Sequence, residues 1–190
     1  MKSLYLIVLM LCFTSVFWHS NNMASEQVVI SEHSSHIDLL GKIDWLVTEK
    51  SMQLSDIQHL QDWQPSYIPN QVSQDKSLWG KFIIVFDDPD EEQYFLTVGN
   101  PHLDYVDVFL LDEKNRILGS FLMGGSRDHT TRPFKHRLFI TPISSAQQVI
   151  TVYLRVNDDG PLVFSVDLDT QSSLVEREQL LLAIIGFISG

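Results

Sequence analysis

The stretch GGSRDHTTRPFKH, residues 124–136, holds Arg127, Arg132, Lys135 and His136, with Arg137 next in line, in a chain of formal net charge −11. Guanidinium groups clamp carboxylates, phosphates or sugar hydroxyls through paired N–H donors. The stretch runs about a dozen residues without a secondary-structure pattern, and loops of that length inside a domain are commonly functional or mobile. A second reading stays open, in which Arg132 or Arg137 pairs with the domain's own carboxylates, such as Asp104 or Asp107. Aromatic rings offer another route to a ligand. Trp63, Tyr67, Trp79 and Tyr105 fall near loops or strand ends, where a sandwich can present rings to a sugar. Taken singly, each ring is more often a core residue, because aromatics dominate cores.

Other chemistries find little support. His129 and His136 flank the loop together with Asp128, but spacing alone does not bring them onto one metal ion. Asp87, Asp88, Asp90, Glu91 and Glu92 surround Pro89 and read as a solvated turn rather than a calcium loop. No metal and no cofactor is therefore expected. The chain contains no glycine-rich phosphate loop, no G-x-S-x-G and no H-E-x-x-H. Without a nucleophile–base pair or a metal set it does not read as an enzyme. Its acidity repels phosphate backbones, which argues against nucleic acid, and no Lys/Arg run draws it to anionic lipid.

The elements that must position these residues are strands. Ile150, Val152, Leu154 and Val156 alternate with Thr151, Tyr153 and Arg155. Val106, Val108 and Leu110 alternate with Tyr105, Asp107 and Phe109, and Leu162, Phe164, Val166 and Leu168 alternate with more polar neighbours. Period two marks strands with one buried face. WGKFIIVF and QYFLTVG are more uniformly apolar and read as central strands; HRLFITPI is one more. YVDVFLLDEKNRILGSFLM reads as a hairpin turning at Asp112–Asn115. Residues 25–40 read as an extended lead-in, residues 41–62 are mixed, and LSDIQHLQ suggests a short helix with Ser55 as cap and Ile57 and Leu60 on one face. Roughly seven or eight short strands with little helix mean an all-β sandwich or barrel. Several connections are too long for hairpins, which fits a jelly roll.

The two ends are apolar. Lys2, the run from Leu4 to Trp18 and then Asn22-Met23-Ala24 follow the plan of a signal peptide over residues 1–24. An uncleaved anchor is the other reading, and either one exports the body. Cys12 lies too early in that run, after Leu9-Met10-Leu11, to be a lipidated cysteine. It is the chain's one cysteine, so the body of about 155 residues has neither disulfide nor thiolate and forms one domain around an ordinary core. At the other end, Leu180 to Gly190 is about half of the roughly 20 apolar residues a bilayer span needs.

LWGKFIIVFDDPDEEQYFLTVGNPHLDYVDVFLLDEKNRILGSFLMGG, then RPFKHRLFITPI, ITVYLRVNDDGPLVFSVDL and REQLLLAIIGF, resemble a known family in order and spacing. It is the second type of extracellular domain found in seven-transmembrane receptors with diverse intracellular signalling modules (7TMR-DISM). The resemblance runs from about Ser35 to the end. It implies a jelly-roll β-sandwich like carbohydrate-binding modules over 25–172, a linker and the start of the first membrane helix over 173–190, and truncation within that helix. It further implies that the sandwich lies in the periplasm at the inner membrane and senses a small polar ligand such as a carbohydrate. The signal would pass through the joint Val175–Gln179 to a cyclase, kinase or phosphatase module. By the same resemblance the ligand surface falls near Trp79, Asn100, Arg132, His136 and Arg155. The expected partners are that ligand, the membrane and a second receptor. The alternative is a module for protein interaction or dimerisation.

Overall fold

The computed structural model describes residues 27–31, 34–65, 72–89, 92–177 and 179–180. The signal-peptide reading, Tyr67, the Asp90–Glu91 turn and the terminal apolar run beyond Leu180 lie outside the described residues. Eleven strands among the described residues carry the fold: β1 Gln27–Ile30, β2 His36–Asp38, β3 Asp44–Glu49, β4 Gln64–Pro65, β5 Lys76–Phe86, β6 Gln93–Val98, β7 Tyr105–Leu111, β8 Ile117–Met123, β9 Phe139–Ser144, β10 Val149–Asn157 and β11 Val166–Thr170. One short helix, α1 (Leu54–Ile57), follows β3, and residues 171–177 are helical.

The strands form two mostly antiparallel sheets, as an all-β sandwich requires. A seven-stranded sheet runs β4-β3-β5-β10-β7-β8, with β1 beside β5, and a four-stranded sheet runs β2-β11-β6-β9. β1 is parallel to the second half of β5, while β3 is antiparallel to its first half. The chain changes sheet at β1–β2, β2–β3, β5–β6, β6–β7, β8–β9, β9–β10 and β10–β11. Leu78, Phe82 and Ile84 of β5, Val106 and Val108 of β7 and Val152 and Leu154 of β10 meet Leu96, Val98, Phe139, Val166 and Leu168 of the smaller sheet in one apolar core. Gly80 makes room there for Trp45: a Cβ at this position would stand 2.8 Å from both the Trp45 ring and Ile43.

The alternation in β7 and β10 reads through to the structure. The pattern at Leu162–Leu168 does so only from Val166 onward. Upstream of it, Pro161 has no N–H to offer a ladder, and the Val163 carbonyl accepts from the Asn100 side chain rather than from a strand. β3 hides in the mixed stretch because both of its faces are covered: Trp45 enters the core, and Leu46 joins a second apolar cluster outside the larger sheet. α1 sits over that cluster, with Ile57 fully buried and Leu60 packed against it. Ser55 is not its cap. It lies inside the helix, and the Gln53 backbone N–H donates to the Asp56 carboxylate at 2.8 Å.

The β7–β8 turn is held by Asp112. One carboxylate oxygen accepts from the backbone N–H groups of Arg116 and Lys114, both at 2.9 Å, and the other from Arg116 Nε at 2.6 Å. Asn115 takes the left-handed conformation the turn needs, with φ 57°. Chiefly the Arg116 backbone N–H, against the opposing effect of burial, holds the Asp112 carboxyl below its usual value. A carboxyl lowered by folding stabilises above its ordinary range and loses that contribution as pH falls through the folded value. Thermal melts should therefore show Asp112→Asn less stable than the parent at neutral pH, with the gap closing in acid.

Candidate functional site

Two groups of charges form on opposite outer faces, each built around a buried carboxylate. On the larger sheet, register brings Leu46, Trp79, Arg155, Asp107 and Leu122 into one cross-strand row over β3, β5, β10, β7 and β8. Asp107 has no exposed side-chain surface. Arg155 Nε donates to Asp107 Oδ2 at 2.8 Å, and its Nη2 donates to the same oxygen. Arg127 Nη1 donates to Oδ1 and to the Met123 carbonyl. Each guanidinium also covers a ring: Arg155 lies 5.2 Å from the Trp79 centroid and Arg127 lies 5.0 Å from Tyr105. Arg155 reaches on to the Met52 carbonyl at 3.4 Å, which fastens the segment before α1.

Trp79 is wholly buried, stacked 6.0 Å from Phe109 and packed with Ile57, Leu111 and Tyr153. No face of its ring is open to a sugar; it backs Arg155. Trp63 lies 6.1 Å from Tyr153, with Lys81 over both rings. Burial raises the Tyr153 phenol above its usual value.

The cationic loop begins at Gly124, whose φ of +140° and 2.1 Å approach of a built Cβ to the Asp104 carbonyl exclude a side chain. Gly125 and Ser126 donate their backbone N–H to the carbonyls of Leu103 and Asp104, and Ser126 Oγ donates to the Asp104 carboxylate at 2.7 Å. Asp128 caps the next turn by accepting from the Thr130 N–H and hydroxyl, both at 2.8 Å. These bonds, led by the backbone one, hold its carboxyl below its usual value. Arg132 closes the loop: its Nη1 donates to the His136 carbonyl at 2.9 Å and the Arg137 carbonyl at 3.3 Å, and its Nη2 reaches the Gly124 carbonyl at 3.5 Å. His136 Nδ1 accepts from the Leu138 N–H at 3.1 Å, so the neutral ring carries its proton on Nε2. Phe134 rests on Phe95 of the smaller sheet, centroids 5.7 Å apart. His129, Thr130, Arg132, Lys135 and His136 line an open cleft of about 410 Å³.

The expected pairing of Arg132 with Asp104 or Asp107 is therefore corrected. Asp107 takes Arg127 and Arg155, Asp104 takes Ser126, and Arg132 binds backbone carbonyls. Of the expected ligand residues, Trp79 and Arg155 are neighbours on the outer face, while Arg132 and His136 are neighbours in the loop. Asn100 stands in the β6–β7 connection at φ 86°, its amide donating to the Val163 carbonyl. That connection packs against Gly125. Among the described residues, no three His, Cys, Asp or Glu side chains are grouped to hold a metal ion.

Of the second group, the sequence reading singled out only Arg177, as part of the joint Val175–Gln179. Asp169 on β11 has no exposed side-chain surface; it accepts from Ser173 Oγ at 3.0 Å and from Arg177 Nη1 at 2.8 Å, and its Oδ1 lies 2.9 Å from His36 Nδ1. Arg177 Nη2 lies 3.5 Å from Asp167, the next outward residue on β11. Burial alone would lower the Arg177 pKa; the hydrogen bond and charge of Asp169, aided by Asp167, outweigh it and raise the value above the ordinary one. Thr170 Oγ1 accepts from the Ser173 N–H at 3.4 Å, a cap for the helical residues 171–177. The legible signal was two aspartates at the outward positions of a strand whose inward positions are Val166 and Leu168.

The family model described as 7TMR-DISM extracellular 2 matches residues 42–170. No curated protein matches the chain. Among solved structures, the pre-peptidase C-terminal domain of a collagenase from Bacillus anthracis aligns at 10% identity and TM-score 0.31, over 55% of this chain and 99% of that one. The enzymatically active domain of tailspike protein 4 from bacteriophage CBA120 aligns at 9% identity and TM-score 0.32, over 66% of this chain and 18% of the tailspike.

Removing a carboxylate that serves two guanidinium groups leaves buried charge unpaired. Asp107→Ala should cost about 3–5 kcal/mol in urea unfolding, the range for breaking a buried ion pair. A double-mutant cycle with Arg155→Ala should return a coupling of roughly 1 kcal/mol or more.

Proposed function

Since the chain belongs to the 7TMR-DISM extracellular 2 family, extracellular domains of membrane receptors, we propose that it senses a small polar ligand in the periplasm of a bacterium and passes the signal into a membrane helix. The observation that carries this reading is the junction at Asp169. A buried carboxylate on the smaller sheet holds Arg177 and Ser173 of the helical segment and lies against His36 of β2. Movement of β11 therefore bears directly on the helix that leads into the apolar run. The repeated crossing of the chain between the two sheets supports reading the sandwich as a jelly roll. On this reading residues 1–24 serve as a signal peptide and the apolar run from Leu180 begins a membrane segment at the inner membrane. No helix among the described residues is long and apolar enough to cross a membrane.

A carbohydrate is the weaker choice of ligand, because the tryptophan expected to stack on it is buried. Asn100, Arg132 and His136 belong to loops, whereas Trp79 and Arg155 stiffen the outer face of the larger sheet. A second reading, a receptor dimer, is favoured by β8. This edge strand carries no charge and exposes Ile117, Leu118 and Leu122; β2 is short with charged side chains, and β4 and β9 contain proline. Uncharged edges invite pairing with another chain. If β8 pairs two copies, Leu122→Lys should convert dimer to monomer in analytical ultracentrifugation while leaving the melting temperature within a few degrees.

For the sensing reading, the test is hydrogen exchange on the full chain in detergent. Arg177→Ala should speed exchange of amides 171–177 by roughly tenfold or more while the β10 amides keep their protection. A ligand that raises the melting temperature should alter exchange at 171–177 in the parent. Tight binding with no change there would overturn the coupling.

A further inference from the structure

Arg116, Arg127, Arg155 and Arg177 each face a carboxylate of the chain. Arg132 does not. Backbone carbonyls orient its guanidinium without neutralising it, and its Nε is buried without a hydrogen-bond partner among the described residues. Lys135, on the same cleft, also lacks a carboxylate partner among the described residues, and His129 and His136 complete the lining. Asp128 is next to His129 but turns its carboxylate into the Thr130 cap. In a chain of net charge −11, this open cleft is thus lined, among the described residues, by side chains that carry no negative charge.

From this we infer that the cleft is an anion site, taking a small organic ligand that bears a carboxylate or phosphate group. The loop is organised before any ligand arrives. Arg132 ties its two ends together and lies 4.6 Å over the Phe139 ring, Phe134 is seated on Phe95, and Asp128 fixes the turn that carries His129. Preorganised donors lose little freedom on binding. Lys135 on the rim supplies a mobile point charge, while the Arg132 fork beneath it supplies the fixed one. A cleft of about 410 Å³ is within the range for a small molecule.

The inference rests on the sensing reading for its purpose, though not for its chemistry. The experiment titrates the full chain in detergent with citrate, inorganic phosphate and glucose in separate arms at constant ionic strength, following histidine ring signals by NMR. His129→Gln assigns the ring at the cleft. Saturable shifts at His129 and His136 with citrate or phosphate, weakened at least tenfold by Lys135→Glu, are expected, and the stronger arm identifies the ligand group. Shifts that do not saturate, that are unchanged in Lys135→Glu, or that glucose reproduces would overturn the anion site. Saturable citrate binding that leaves exchange at 171–177 unchanged would keep the site and sink the sensing reading. Glucose binding elsewhere that alters this exchange would do the reverse.

Discussion

A carboxylate without exposed surface needs positive charge within hydrogen-bond reach, and Asp107 recruits it from two directions. Arg155 comes from the adjacent strand and Arg127 from the far end of the hairpin that Asp107 itself begins. Because each arginine is also committed elsewhere, one ionic centre fixes several things together. Through Arg155 it sets the tilt of the Trp79 ring and the position of Met52 ahead of α1. Through Arg127 it sets where the loop leaves β8. An apolar replacement of similar volume could match its stability, but it would not fix the start of the loop.

That arrangement separates the domain's cations by role. Arg127 and Arg155 are paired with a carboxylate inside the chain, whereas among the described residues Arg132 is held by backbone carbonyls. The smaller sheet repeats the first scheme at Asp169, with the difference that the arginine there belongs to a helical segment rather than to the sheet. One buried carboxylate thus stiffens the face next to the loop, and another joins the sandwich to the chain that continues from it.

Much of the strand framework was readable before any coordinates, and the reason is local. The β7–β8 hairpin announces itself through period-two alternation on either side of a turn that Asp112 and Asn115 can close unaided. β10 does so through four inward residues in strict alternation. β3 was not legible, since Trp45 and Leu46 are both covered and the apolar pattern loses its period. Neither was the irregular start of the segment before β11, where a side chain from the β6–β7 connection takes the carbonyl a neighbouring strand would have used. For the site, composition pointed correctly to an unusual concentration of cations in residues 124–137, but the identity of their partners depends on contacts between residues 20 and 48 positions apart. Nothing in local sequence distinguishes Arg127, which pairs with a carboxylate, from Arg132, which among the described residues binds backbone carbonyls.

The pairing of β2 with β11 is antiparallel, and it joins His36 at the start of one strand to Asp169 near the end of the other. The chain therefore enters β2 and leaves β11 from the same end of the pair. A pull transmitted along the helical residues 171–177 does not load those backbone hydrogen bonds in shear, where they would resist together. It opens them one after another from the fork. The Asp169–Arg177–His36 contact sits at that fork, so it bears the first of any tension between sandwich and helix and sets the mechanical threshold of the joint.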